Sequence, residues 1–568
     1  MQKIAVLTHK DRADELIDFL QGEGVMEITD ARDSGGTGDH SELNFRTSEL
    51  EFAITTLKGF ADKKQLAAMK KAESSATAQQ VKHAVKTVDV QAIVAELHQL
   101  DKEDQALKIE MGGPEPLPAG DSAAEQAAYL GEEGATEVRG GVKIDASAPK
   151  NVALAQKKLE NHDKRRKALA EELPSLVLLR RYVRWLHSKQ GARDAMKKTK
   201  MTVMLMGWLP LEMFSAFERR LHAAINSSAV LRVNPDTGEE PPVLLKNSKS
   251  LTPFESVTTL YGLPLYRELD PTPYLSFFFI LFFALCLTDA GYGIVLALFS
   301  GAYIFKNKIA VRENPLAWLL LLSGIVTVIV SIPFGGWFGM TADQAPSFMT
   351  EMRGDGKMWF KGQVWNLSDQ TGITFLQNLS LALGIIHLTF GIFLGAVSKI
   401  RSGSLAAGLW MDGTTLAFIG VTLLYFFGPV EYKQLFLYGI YASLILMVWG
   451  KGHGNPMLRR PLFGLLQTLN FFLGMMGNVL SYLRILALGL VTGALAFTVN
   501  LVAEQISSML PWFLAVPVAI AIYVFGHLMN IALNVLGAFI HSGRLQFVEF
   551  FSQFFEGGGR PFRPLTRS

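Results

Sequence analysis

The 568-residue sequence contains one cysteine, Cys286, set within an apolar run, so an intrachain disulfide is excluded and a thiolate metal cluster cannot be built. The formal net charge is only +3 and the basic residues form no stripe, which argues against a nucleic-acid partner. No G-x-x-x-x-G-K-[S/T] occurs, because Gly356-Lys357 is followed by Met358, and no G-x-G-x-x-G opens a helix behind a strand. Nucleotide binding through a P-loop is thereby excluded, and no metal or cofactor is expected. Residues 1–7 carry neither an apolar signal core nor a small-residue cleavage site, so the N-terminal half is expected to stay in the cytoplasm.

What is present falls into two unlike halves. Up to about Asp270 the chain is rich in Lys, Glu, Asp and Gln; beyond it, long runs of Leu, Phe, Ile, Val and Gly alternate with short charged loops. In the first half, residues 4–8 read as a strand, 11–22 as a helix and 25–29 as a second strand. Helical spacing then covers 41–71, 92–111 and 150–187, followed by a strand over 201–208 and a helix over 212–226. The expected fold is an N-terminal cytoplasmic α/β domain, residues 1–264, with two small α/β lobes joined by a rod of long paired helices. Residues 112–146 have no periodicity and read as irregular. A rod of this kind suits a spacer or docking arm better than a catalytic unit.

From residue 265 to 568 the chain reads as an α-helical polytopic membrane domain. Crossing a bilayer core of about 30 Å takes about 20 apolar residues. Apolar segments occur at 274–305, 316–340, 373–397, 414–427, 435–448, 462–502 and 512–555, the first interrupted by Thr288-Asp289-Ala290-Gly291-Tyr292-Gly293. Basic clusters fall at Lys306, Lys308 and Arg312; at Lys399 and Arg401; at Lys451, Arg459 and Arg460; and at Arg560, Arg563 and Arg567. If the first segment is two helices, every cluster lies on the side of the soluble half, as short cytoplasmic loops require. The expectation is therefore eight transmembrane helices, both termini cytoplasmic, with residues 341–369 outside. The last two segments are each about 40 residues, ~60 Å of helix, so they must tilt or break. Steep tilt is expected, with Gly474, Gly477 and Gly489 as possible kinks in the first of them.

Arg484 lies near the middle of the first long segment, in Ser481-Tyr482-Leu483-Arg484. Placing it there costs about 3 kcal/mol on insertion scales, so it should face protein or water. Either it pairs with a carboxylate within the chain or it acts on a moving ion. The second long segment carries His527, Asn530, Asn534, Gly537, His541 and Arg544 at three- and four-residue steps, one face of a helix. Such a stripe is either a hydrated path or a seam of close helix packing. Thr492, two turns after Arg484, and Glu549 are further candidates, and Ser481 belongs to the same motif. Asp289, His387 and Asp412 read more readily as turn or packing residues.

Five segments resemble one family: Val203-Met204-Leu205-Met206-Gly207-Trp208-Leu209-Pro210, Pro242-Val243-Leu244-Leu245-Lys246-Asn247, Asp270-Pro271-Thr272-Pro273, Asp289-Ala290-Gly291-Tyr292-Gly293 and Ser481-Tyr482-Leu483-Arg484. The chain is similar there to the membrane stator subunit, called I or a, of V-type rotary ATPases. That resemblance implies an essential arginine at Arg484 and a second at Arg544. It also implies a multi-pass subunit of the cell membrane, embedded in lipid, whose last two helices clasp a rotating ring of proteolipid subunits. Its arm would hold peripheral-stalk subunits and meet a central-stalk-associated subunit. Proton or sodium translocation would be its task, with ATP chemistry on other subunits. Many eukaryotic members have His where this chain has Thr492 and Glu where it has Asn534. A secondary cation transporter with a cytoplasmic regulatory domain is the rival reading, but such proteins often carry inverted repeats or paired broken helices, and neither is evident in this sequence.

Overall fold

The computed structural model describes residues 1–29, 41–74, 78–110, 148–236, 238–353, 356–454 and 456–566, so the irregular stretch 112–146 lies outside the described residues. The chain forms two compact units, Met1–Thr237 with Arg563–Ser568, and Gly238–Phe562.

The first unit begins with β1 (Gln2–His9), α1 (Ala13–Glu23) and β2 (Glu27–Ile28). The helices α2 (Ser41–Lys58), α3 (Lys63–Ser74), α4 (Ala78–Thr87), α5 (Val90–Glu110), α6 (Ala148–Leu169) and α7 (Leu173–Asp194) follow. It closes with β3 (Lys197–Lys198), β4 (Thr202–Leu209), α8 (Phe214–Ala224) and β5 (Ala229–Val233). The two expected α/β lobes are one. β4 lies antiparallel beside β1, Gln2 opposite Leu209 and His9 opposite Thr202, and β5 takes the other edge of β1. The result is a single five-stranded sheet in the order β2-β4-β1-β5, with β3 pairing β4. A strand pattern specifies which face is buried but not which strand lies alongside. Here Ile4 and Val6 share one core with Val203, Leu205, Leu209 and the apolar faces of α1 and α8, so both stretches need the same helical cover. Gly207 lets β2 approach, since a Cβ there would sit 2.2 Å from the Glu27 carbonyl oxygen. The chain end returns to this lobe: the N–H of Arg563 donates to Glu27 Oε2 at 2.6 Å and that of Leu565 to the Met26 carbonyl at 2.8 Å.

The other end of the unit is helical among the described residues. Leu50, Ala53, Ile54 and Leu57 of α2 pack with Leu173, Leu176, Val177 and Leu179 of α7 and with Ile93, Val94 and Leu97 of α5. Between α5 and α6, buried Arg166 donates to Asp101 at 2.8 Å and pairs with Asp104 at 2.6 Å. Those carboxylates and the bonds to them outweigh the desolvation of the guanidinium and raise its pKa above the ordinary arginine value.

The second unit holds α9 (Thr252–Tyr261), α10 (Thr272–Leu287), α11 (Ala290–Asn307), α12 (Pro315–Ser331) and α13 (Gln370–Arg401). Then come α14 (Thr414–Phe427), α15 (Lys433–Lys451), α16 (Arg460–Ser481), α17 (Leu483–Ser508) and α18 (Trp512–Arg544). Among the described residues, six helical segments are long and apolar enough to cross a membrane, including Arg460–Ser508 of 49 residues and Trp512–Gln553 of 42. The chain is thus a mostly helical polytopic membrane protein. Its outward faces carry exposed Phe299, Phe427 and Leu458, which suit lipid rather than water.

The interruption at 288–289 is a sharp turn. Thr288 takes a left-handed conformation, φ 43°, and the Asp289 carboxylate accepts the Tyr292 N–H at 3.0 Å, capping α11. The end of α12 comes back to this turn, where the N–H of Ala290 donates to the Gly336 carbonyl at 2.8 Å. Close approaches of Gly293 to Gly324 and Val328, and of Gly301 to Leu321, set α11 antiparallel to α12. α10 and α12 therefore end together where α11 begins. Between α12 and α13, β6 (Thr350–Met352) pairs β7 (Met358–Phe360) as a hairpin.

Candidate functional site

Arg484 sits at a helix break. The long segment from Arg460 divides at Tyr482, whose N–H reaches back only three residues, to Val479 at 3.1 Å, while Ile485 does the same to Tyr482 at 3.0 Å. Gly474 and Gly477 have open space around them and do not make the break. Gly489 serves packing: a Cβ there would lie 2.6 Å from Thr288 Oγ1 and 3.0 Å from the Leu285 carbonyl, so only glycine lets α17 meet the end of α10. Arg544 also adjoins an irregularity. It is the last residue of α18, and Leu545–Phe550 continue as a π-helical turn. Such turns are frequent at functional positions.

These irregularities bring the charged candidates together. Arg484, half-buried, shares its surroundings with Arg544, Glu549 and Cys286. His541 lies in the field of both arginines, and Ser481 faces Glu549 while donating to the Gly477 carbonyl at 3.1 Å. No carboxylate among the described residues comes within 4.0 Å of the Arg484 guanidinium, and its buried Nη1 has no hydrogen-bond partner. Glu549 is 2 % exposed and its Oε2 is likewise unpartnered. A permanently charged guanidinium held without a tight counter-ion retains its field for a group arriving from outside.

Asn534, Asn530 and His527 belong to a second cluster. Asn534 donates to Asn530 Oδ1 at 2.5 Å, and Asn530 donates to the Tyr292 phenol at 2.7 Å. The phenol oxygen, accepting there, gives its proton to His527 Nδ1 at 2.8 Å. That leaves His527 Nε2 as the donor to Asn500 Oδ1 at 3.0 Å, and Asn500 donates to the Phe338 carbonyl at 2.8 Å. With these amide orientations every hydrogen bond points the same way along the chain. Thr492 borders it, its carbonyl 3.4 Å from Asn530 Nδ2 and its hydroxyl donating to Leu488 at 3.0 Å. Between the two clusters, α18 presents Gly537 to Leu488 of α17. From Asn534 to His541 is seven residues, ~10 Å of helix.

Sequence reading missed Tyr292 and Asn500. Asn500 is a lone amide in the apolar run after Thr492; two eight-residue steps turn it well away from the Arg484 face, so spacing from Arg484 did not mark it. Tyr292 had no signal beyond a phenol in an apolar helix. Asp412 pairs with Lys399 at 2.7 Å, and Asp289 caps α11; both serve the fold.

Residues 161–324 and 462–567, which include both arginines, the stripe on α18 and Tyr292, match the profile of the V-type ATPase 116kDa subunit family. The chain is similar to the A-type ATP synthase subunit I of Methanocaldococcus jannaschii, 35% identical over 390 residues, covering 65% of this chain and 55% of that protein. The subunit of the same name from Methanothermobacter thermautotrophicus is 30% identical over 430 residues, 74% of this chain and 60% of that one. The V-type ATP synthase subunit I of Chlamydia pneumoniae is 26% identical over 389 residues, 59% and 56% respectively. The chain thus spans between 55% and 60% of the length of these relatives.

Proposed function

The chain belongs to the V-type ATPase 116kDa subunit family, and on that premise we propose that it is the membrane stator of a rotary ATP synthase or ATPase, with Arg484 acting on ions carried by a proteolipid ring. The observation that carries this is the state of Arg484: charged, half-buried at a helix break, and without a carboxylate within 4.0 Å among the described residues. A ring carboxylate reaching it would be favoured in its ionised form and would release its proton or sodium ion. The same charge repels cations that would otherwise leak across. Arg544, His541, Ser481 and Glu549 form the surroundings of one half-channel; Thr492, Asn530, Asn534 and His527 line the other, with Tyr292 and Asn500 completing it. Leu488 against Gly537 separates the two, as a stator requires if ions are to cross only with rotation.

Eight crossings complete the reading. Helices of 16 and 18 residues, α10 and α11, are ~24 and ~27 Å long, close to the ~30 Å of a bilayer core. They run in opposite directions, so on this reading they make two crossings, and the positive-inside rule assigns the basic clusters to the cytoplasmic side and residues 341–369 to the outside. Residues 563–566 pack with the first unit, in keeping with both termini being cytoplasmic in a plasma-membrane protein. Residues 1–264 serve as the arm for peripheral-stalk and central-stalk-associated subunits, and 265–568 as the translocating domain. Affinity purification of the tagged chain from native membranes tests this. A co-purifying proteolipid ring, stalks and catalytic sector is the expected result; a lone chain that transports cations down a gradient would favour a secondary transporter.

A further inference from the structure

α13 carries a buried histidine that the proposed ion path does not use. His387 is 0% exposed and lies between aromatic rings, 4.1 Å from Phe550 at an interplanar angle of 19° and 4.2 Å from Phe278. Its Nδ1 is 2.8 Å from the phenol of Tyr482, itself 0% exposed. Tyr482 is the residue at which the helix breaks, two positions before Arg484. On the other side, Phe550, whose ring stacks on the imidazole, belongs to the π-helical turn that follows Arg544. One side chain thus touches both irregularities that carry the arginines.

The rest of that face of α13 is cut to receive them. A Cβ on Gly384 would lie 2.7 Å from the Tyr482 ring, one on Gly391 3.0 Å from the Phe550 ring, and one on Gly395 2.7 Å from the Gln553 carbonyl. Gly384, His387, Gly391 and Gly395 follow at steps of three, four and four, a single helix face. Backbone approach this close needs glycine at each position. In an otherwise apolar seam, the imidazole–phenol hydrogen bond is the directional contact, so it fixes the rotation of the break where packing alone leaves it free.

We infer that His387 and Tyr482 form a positioning latch, through which α13 sets the placement of Arg484 relative to Arg544 and Glu549. This rests on the reading of Arg484 given above. Neither latch residue meets the transported ion; they act by holding the charge where a ring carboxylate must find it, and a misplaced charge weakens coupling while leaving the bundle folded.

Tyr482→Phe is the least disruptive test, since it keeps the ring and removes only the hydroxyl. In the intact complex reconstituted into vesicles, ATP hydrolysis and ATP-driven ion uptake are read together. Tyr482→Phe is expected to assemble and hydrolyse ATP while ions moved per ATP fall roughly fivefold, the factor of one neutral hydrogen bond. His387→Leu should match it, and His387→Asn, which returns a polar atom near the Nδ1 position, should recover most of the loss. Native coupling in both Tyr482→Phe and His387→Leu would overturn the inference, and failure of Tyr482→Phe to assemble would overturn it by making the pair a folding contact. Arg484→Ala in the same vesicles separates the two claims. If it abolishes uptake while the latch variants keep native coupling, only the latch is wrong; if it too retains coupling, the proposed function fails.

Discussion

Tyr292→Phe removes one oxygen from the middle of the hydrogen-bond chain that links α11, α17 and α18. The phenol is 1% exposed and makes two bonds, 2.8 Å to His527 and 2.7 Å from Asn530, while the ring packs edge-on against Phe338 at 5.3 Å. Phe preserves that packing, so the cost is the two bonds. A buried neutral bond contributes about 1 kcal/mol net, and a partner left unsatisfied costs about 1–3 kcal/mol. Asn530 keeps a weak contact with the Thr492 carbonyl at 3.4 Å and half-buried His527 keeps Asn500, which puts each loss at the lower end. The total is about 2–3 kcal/mol. Two readouts follow: thermal unfolding of the purified complex, and the initial rate of ATP-driven uptake in vesicles. Because Tyr292, Asn530 and His527 share one chain, Tyr292→Phe and Asn530→Leu should not add; double-mutant coupling of about 1 kcal/mol or more is expected. Additive effects, with uptake unchanged in Tyr292→Phe, would show that the polar stripe is only a packing seam.

Cys286 is buried and is the chain's one cysteine, so a cysteine placed at exposed Ser347 gives a clean topology probe. Ser347→Cys should react with an impermeant thiol reagent from the outside of intact cells; labelling from the cytoplasmic side alone would reverse the topology. Arg166→Met removes a 3%-exposed cation and its 2.6 Å pair with Asp104, which keeps His162 at 2.6 Å, a loss of about 2 kcal/mol seen as a lower unfolding temperature of the first unit in the full chain. An unchanged temperature would mean that the paired helices hold without their ionic core. Deleting residues 1–237 should leave the membrane unit inserted and abolish attachment of the catalytic sector; retained attachment, seen by sedimentation of the solubilised complex, would assign the docking surface elsewhere.

Much of the site could be read from composition and spacing. Arg484 stands out because a charge inside a long apolar stretch is costly and must either pair within the chain or act on an ion, and steps of three and four residues put His527, Asn530, Asn534, His541 and Arg544 on one face. Tyr292 was hidden because its role comes from α11 lying beside α18, a tertiary fact. The break at Tyr482 was hidden for another reason. Glycines mark kinks, yet Gly474 and Gly477 sit in a regular helix, and the break falls at a tyrosine held from outside the helix by His387. In the first unit the strands were legible and their partner was not: nothing in residues 4–8 announces that 202–209 will pair with them, because register and neighbour follow from a shared core. The short strand Ala229–Val233 went unseen, its burial pattern too mixed to mark a face.

Arg484→Ala tests the account most directly. No carboxylate among the described residues is paired with the guanidinium within 4.0 Å, so its removal breaks no close ion pair; buried Glu549 loses one charge from its surroundings but keeps Arg544 there, and a costly intramembrane charge is gone. The complex should therefore assemble and its catalytic sector should still hydrolyse ATP. ATP-driven ion uptake in reconstituted vesicles should vanish, because a ring carboxylate would no longer be driven to release its ion at the interface. Arg484→Lys should recover little, since an ammonium lacks the planar fork and sheds its proton more readily when desolvated. Retained pumping by an assembled Arg484→Ala complex would contradict the mechanism.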